Sequence, residues 1–363
     1  MPKSLFSDNY SQARSRFIEA CSRAEAELQQ CRLDTEKGIT GESLTIDIAR
    51  FGPRHAKKIL FCTSGTHGQE GFTGSAIQLS WVKEEKYRDI GPDTAVVFIH
   101  AVNPYGFAHL SRTNENNVDL NRNFIDHNSH NPKDELYQEL HPIICPAELS
   151  TQGLEKITAG IMQLMQKHGP AELSNALTKG QYSHPSGLNY GGVEEQWSAH
   201  QIKEIVMQHA SGAELVAFID WHTGLGPRGE PFFLCFNAPE SELYNKVSSW
   251  WGLDKAQDDE GFGDGQRPDY SGLLFTGIQQ VLAPITVAGG VIEFGTQSNA
   301  EMLTALIIDR WLRFGVHSDD DIKSNFKAQM LEAFSPIDDS WRNRVLPAAA
   351  AIIEKTLIGL ENS

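Results

Sequence analysis

The stretch Ile59-Leu60-Phe61-Cys62-Thr63-Ser64-Gly65-Thr66-His67-Gly68-Gln69-Glu70-Gly71 decides how the chain is read. It opens with an unbroken apolar run, the pattern of a strand buried on both faces. A histidine and a carboxylate three residues apart follow where that strand should end, a spacing that suits two ligands of one metal ion. Two more apolar runs lead to the same kind of place. Leu215-Val216-Ala217-Phe218-Ile219 ends in Asp220-Trp221-His222, and Val287 to Ile292 delivers Glu293. Two imidazoles and a carboxylate leave the fourth position of a tetrahedral zinc open for water, which is the composition of a catalytic site and not of a closed structural one. Glu293 is then free to act as a base.

Outward from this stretch, the spacing predicts a strand over Lys58 to Thr63 and a helix from Gly71 to about Lys86, with Phe72, Ala76 and Leu79 on one face. Ala95 to Ile99 reads as another buried strand, closed by a turn at Asn103-Pro104-Tyr105-Gly106. Toward the N-terminus, about Ser11 to Leu33 carries helical spacing and Leu44 to Ile48 alternates as a half-exposed strand, so this opening is expected at an edge. Helical patterns at Leu154 to Lys167 and Gln201 to His209 surround a glycine-rich loop, Gly180 to Gly192, whose part from Gly187 to Gly192 is expected to be a flexible lid. Beyond them come Phe232 to Phe236, a Gly- and Asp-rich loop from Gln257 to Gly272, and a helix from Glu301 to Phe314. Short apolar strands separated by helices predict an α/β fold: a mixed, mostly parallel twisted sheet with helices on both faces, its ligands outside the carboxyl ends of the strands. One catalytic domain over 1–363 is expected, with an insertion at about 132–210 over the active face.

The net charge of -16 excludes a nucleic-acid surface, because phosphate binding needs a basic face. Five cysteines, Cys21, Cys31, Cys62, Cys145 and Cys235, are odd in number and form no C-x-x-C pair, which suits a reducing compartment. Cys62 and Cys235 lie inside apolar runs and read as small buried residues. No signal-peptide stretch opens the sequence, and the apolar run Ala348 to Ile353 is too short to span a bilayer. A soluble, cytoplasmic protein with no membrane partner is expected, its oligomeric state left open.

A second cluster of polar function runs from Arg112 to Phe124. A planar guanidinium matches a carboxylate with paired donors and a neighbouring amide adds a further hydrogen bond, so Asn121-Arg122 reads as a clamp for a free carboxylate. Arg112 is a candidate to face developing oxyanion charge. Asp119 is placed to orient a metal-bound histidine through its other ring nitrogen.

Taken together, His67-x-x-Glu70, Asp119-Leu120-Asn121-Arg122-Asn123-Phe124, His222 and Glu293 resemble the zinc carboxypeptidase superfamily, which includes carboxypeptidase A and, more distantly, the aspartoacylases and succinylglutamate desuccinylases. The phrases Ser64 to Phe72 and Asp220 to Gly224 are most similar to a bacterial branch catalogued as a domain of unknown function. The resemblance implies one zinc per chain on His67, Glu70 and His222, with Glu293 as general base and acid. It implies Arg112 polarising the scissile carbonyl, Asn121 and Arg122 binding the substrate carboxylate, and Asp119 supporting His67. Tyr270 would match the mobile tyrosine that covers substrate.

The leading expectation is a carboxypeptidase-type metallopeptidase acting on a peptide with a free carboxylate. An aspartoacylase-like amidohydrolase taking an N-acyl amino acid uses the same groups and is the alternative; a catalytically dead binding module is the third reading.

Overall fold

The computed structural model describes residues 5–129, 134–252, 267–316 and 319–363. In chain order the elements are α1 (Tyr10–Arg23), β1 (Glu27–Lys37), β2 (Ser43–Phe51), β3 (Lys58–Ser64), α2 (Gly71–Lys83), β4 (Thr94–His100), α3 (Pro104–His109), α4 (Glu135–Ile144), α5 (Thr151–His168), α6 (Pro170–Thr178) and α7 (Trp197–His209). There follow β5 (Leu215–Arg228), β6 (Pro231–Leu234), α8 (Glu242–Trp251), α9 (Leu274–Leu282), β7 (Thr286–Gly295), α10 (Asn299–Phe314), α11 (Asp320–Phe334) and α12 (Asp339–Glu361).

The strands form one sheet in the order β1-β2-β4-β3-β5-β7-β6. Its centre, β4-β3-β5-β7, is parallel throughout, and the antiparallel pairings lie toward the two edges. Strand alternation sorts the core. Leu60, Cys62, Ala217, Ile219 and Trp221 face α2, α8 and α12, while Ile59, Phe61, Val216, Phe218 and Val287 face α7 and α9. Both faces are covered, which is why these strands read as continuous apolar runs.

Several local expectations are corrected. The helical spacing across Ser11 to Leu33 ends at Arg23; Glu25 takes φ 55° and the chain turns into β1, whose backbone pairs with β2. That ladder outweighs the helical periodicity of its side chains. β2 is not half exposed: it is buried along nearly its whole length because its polar alternates are covered by α1, with Arg14 Nε donating to Asp47 Oδ2 at 2.8 Å and Tyr10 Oη accepting from Thr45 N at 2.8 Å. The edge is β1. The helix after Gly71 stops at Lys83 and not near Lys86, and the turn at Asn103 continues as α3, with Asn103 Oδ1 capping Gly106 N.

Nor is the glycine-rich loop Gly180 to Gly192 a free lid. Asp119 N donates to Tyr190 O at 2.8 Å, Asn123 Nδ2 to Gly191 O at 2.8 Å and Tyr137 Oη to Leu188 O at 2.8 Å, so the loop is a fixed wall beside the Arg112 to Phe124 segment. Of the loop expected from Gln257 to Gly272, residues 257–266 lie outside the described residues. No helix among the described residues is long and apolar enough to cross a membrane.

Candidate metal centre

His67 leaves the end of β3 in the turn before α2, and Glu70 closes that turn. The turn is pressed so close to α3 that a Cβ on Gly68 would lie 1.9 Å from the Gly106 carbonyl carbon, so glycine is required there. His222 sits within β5 and not at its end, since the strand continues six residues further to Arg228. It shares the α7/α9 face with Phe218 by the strand's period of two. Across the β5-β7 ladder it is paired in register with Glu293. Register brings His222 beside Glu293, and the turn after β3, whose last residue Ser64 pairs with Trp221, brings His67 and Glu70 to the same place.

The ligand atoms of His67, Glu70 and His222 lie within 4.8 Å of one another, and all three residues are buried. The two Nδ1 atoms face each other at 3.1 Å; Glu70 Oε1 is 2.9 Å from His67 Nδ1 and Oε2 is 3.0 Å from His222 Nδ1. Two ligands about 2.1 Å from one tetrahedral zinc stand about 3.4 Å apart. The observed edges are a few tenths of an ångström shorter, so an ion fits with a slight outward movement. Each imidazole turns its outer nitrogen to a carboxylate: His67 Nε2 to Asp119 Oδ1 at 3.1 Å, and His222 Nε2 to Asp220 Oδ2 at 2.7 Å. That arrangement fixes the ring and leaves the inner nitrogen basic toward a cation.

Asp220 is held in turn by the Thr63 and Thr66 hydroxyls, which donate to its Oδ1 at 2.6 and 2.8 Å. Sequence reasoning gave Asp220 no role, although its place two residues before His222 on a strand put both on one face. Burial disfavours a charged His222, but Asp220 and Glu70 outweigh it and hold its pKa well above the ordinary histidine value. Glu70 and Glu293 are driven apart. Burial opposes ionisation of both, yet the imidazoles of His67 and His222 carry Glu70 below the usual carboxylate range. Glu293 is pushed up to about 7 by burial and by the charge of Glu70. Two carboxylates whose environments separate their pKa values in this way can divide roles, one holding charge and one exchanging a proton near neutral pH.

Arg112 donates through Nε and Nη2 to Asp119 Oδ2 at 3.1 and 3.0 Å and reaches Glu70 Oε1 at 3.5 Å. Asn121 accepts from Leu274 N at 2.9 Å through Oδ1. Arg122 is almost enclosed, at 5% exposure, and two sides of its guanidinium are engaged. Nε and Nη2 hold Thr178 O at 3.1 and 2.7 Å, and Nη1 holds Asn121 O at 2.6 Å. Nη1 and Nη2 each carry a second N–H beyond these bonds, and a guanidinium offering one N–H from each Nη presents the parallel pair that a carboxylate takes. The Tyr270 ring lies 4.8 Å from Arg122 Cζ, with Phe236 edge-on to it at 6.2 Å; burial pushes its phenol up to about 12, so it remains a neutral donor.

The family model described as protein of unknown function (DUF2817) matches residues 6–348. The chain belongs to the DUF2817 family. No curated protein matches it by sequence. Bovine thrombin-activatable fibrinolysis inhibitor, solved with a tick carboxypeptidase inhibitor, overlays at TM-score 0.52 and 10% identity, covering 98% of each chain. A metallo-carboxypeptidase from Burkholderia cenocepacia overlays at 0.46 and 13% identity, covering 96% of this chain and 68% of the other. Carboxypeptidase A from Helicoverpa armigera gives 0.45 and 12%, covering 90% and 74%. At 10% identity the first overlay shows the fold alone: this DUF2817 chain has the fold of the metallocarboxypeptidases.

Proposed function

We propose that the protein is a zinc-dependent hydrolase of carboxypeptidase type, cutting an amide bond next to a substrate carboxylate. The observation that carries the reading is the facing pair of Nδ1 atoms at 3.1 Å, each imidazole backed by its own carboxylate, with Glu293 in register beside His222. His67, Glu70 and His222 would hold the ion. When bound, zinc supplies a Lewis acid that makes water acidic near neutral pH.

The side chains account for the rest. The end edge of Arg122, with the Asn121 amide beside it, takes the substrate carboxylate and sets which bond lies over the centre. Arg112, held by Asp119, offers its remaining N–H groups to the oxygen on which negative charge develops. Glu293 accepts a proton from the attacking water and passes it to the departing nitrogen, a task suited to a carboxyl that titrates near the working pH. Tyr270, stacked on Arg122, covers the bound end. His67, Glu70 and His222 are all nearly closed to solvent, which favours an extended peptide end or a small N-acyl amino acid over an internal bond of a folded protein.

Purified protein incubated with C-terminally free peptides, their C-terminal amides and N-acyl amino acids, with and without chelator, tests this. Release of a C-terminal amino acid that chelator abolishes, and that the amides do not give, is expected. Cleavage confined to N-acyl amino acids would make it a deacylase, and chelator-insensitive turnover would refute the reading.

A further inference from the structure

The guanidinium of Arg112 is held by Asp119 and Glu70, but its backbone is held from elsewhere. Asp309 lies within the buried stripe of α10, four residues after Ala305 and seven after Met302. Its Oδ2 accepts from Arg112 N at 3.1 Å. One turn further along the same helix, Arg313 Nη1 donates to Thr113 Oγ1 at 3.1 Å and to Asn114 O at 2.5 Å, and Nη2 donates to Glu115 O. On its other side the Arg112 carbonyl accepts from Gly68 N at 3.4 Å and from Asn103 Nδ2 at 3.3 Å. The backbone of Arg112 is thus gripped between α10 on one side and Asn103 and the turn that carries His67 and Glu70 on the other.

Thr113 and Asn114 are buried, yet a single backbone amide is ordinarily satisfied by a carbonyl or a neutral side chain and does not require a carboxylate. Burial pushes the Asp309 carboxyl up to about 6, a standing cost to the fold above that pH, and a neutral side chain would avoid it. The helix that bears it contributes none of the groups assigned to the metal or the substrate. From these contacts we infer that Asp309 is a positioning residue: with Arg313 it clamps the 112–115 segment to α10 and so sets where the Arg112 guanidinium meets the reacting carbonyl. This rests on the hydrolase reading for its catalytic consequence, while the placement of Arg112 is measurable without turnover.

The test compares zinc-loaded wild type with Asp309→Leu, which removes the acceptor while keeping the branched shape, and Asp309→Asn, which keeps an acceptor without charge. In 1H–15N spectra the Nε–H of Arg112, assigned by its disappearance in Arg112→Lys, should be sharp and slow to exchange in wild type and in Asp309→Asn. In Asp309→Leu it should broaden and exchange at least tenfold faster. On whichever amide the wild type cleaves, kcat should fall about 100-fold in Asp309→Leu with KM within twofold, the scale of an ångström-level misplacement, and Asp309→Asn should regain most of it. Zinc content should stay at one per chain.

An Arg112 resonance unchanged in Asp309→Leu overturns the proposal, as does a kcat loss that tracks loss of zinc. Should Asp309→Leu not fold, Arg313→Met removes the second grip, and an Arg112 resonance unmoved there is equally fatal. If no variant, wild type included, cleaves any substrate, the hydrolase reading falls while the resonance still decides whether α10 places Arg112.

Discussion

Removing Asp220 isolates the contribution of a carboxylate that touches neither metal nor substrate. In Asp220→Ala the His222 Nε2–H loses its acceptor at 2.7 Å inside a fully buried site, and the Thr63 and Thr66 hydroxyls lose theirs at 2.6 and 2.8 Å. The ring is then free to turn its Nδ1 away from the centre. Loss of such an outer partner weakens metal affinity by about 10- to 100-fold, or roughly 1.4 to 2.7 kcal/mol. A second effect runs the other way. In the metal-free protein Asp220 and Glu70 hold the His222 pKa well above its ordinary value, so zinc must displace a proton to bind. Without Asp220 that proton is held less tightly. The wild-type advantage should therefore be largest at alkaline pH and narrow as pH falls. Competition against a chromophoric chelator of known affinity, with circular dichroism confirming the fold, measures both. Equal dissociation constants at pH 8.5, within twofold, would refute the argument, and so would a gap that widens on acidification.

Other expectations follow from the same contacts. The Glu293 carboxyl should titrate near 7 in metal-free protein and shift downward on adding zinc, because a nearby cation favours the carboxylate; its side-chain 13C resonance reports both, and an upward shift would contradict the assignment. Glu293→Gln should abolish turnover while keeping one zinc per chain by elemental analysis. Asp309 has a folded-state pKa of about 6 against an unfolded value near 3.8, so stability is lost as pH rises from about 4 to 6 and the penalty stands in full above that. Asp309→Asn should thus be more stable than wild type at pH 8 by up to about 3 kcal/mol and level with it near pH 3.5 in denaturant titrations; an equal difference at both pH values would show that ionisation is not the cause. In Gly68→Ala the new Cβ would meet backbone of α3, so a loss of about 1 to 3 kcal/mol together with weaker zinc binding is expected, and calorimetry with a zinc titration checks it.

The sequence alone determined the parallel centre of the sheet, because strands covered on both faces must be apolar at every position, and Ile59 to Cys62, Val96 to Ile99 and Val216 to Ile219 have no other economical reading. It also determined which side chains to watch, since His67, Glu70, His222 and Glu293 each follow or close such a run. What it left undecided depended on partners distant in the chain. β1 carries helical spacing and becomes a strand only because β2 offers it a ladder; β2 is buried only because α1 lies across its polar residues. The wall formed by Gly180 to Gly192 has glycines that read as freedom until Asp119, Asn123 and Tyr137 bind its backbone. Asp220 was within reach of a period-of-two argument. Asp309 was visible only as a lone charge in the apolar stripe of α10, and nothing local says that its partner is an amide 197 residues earlier. Side-chain periodicity records which faces are buried; which segment buries them, and through which hydrogen bonds, is settled only when the chain closes on itself.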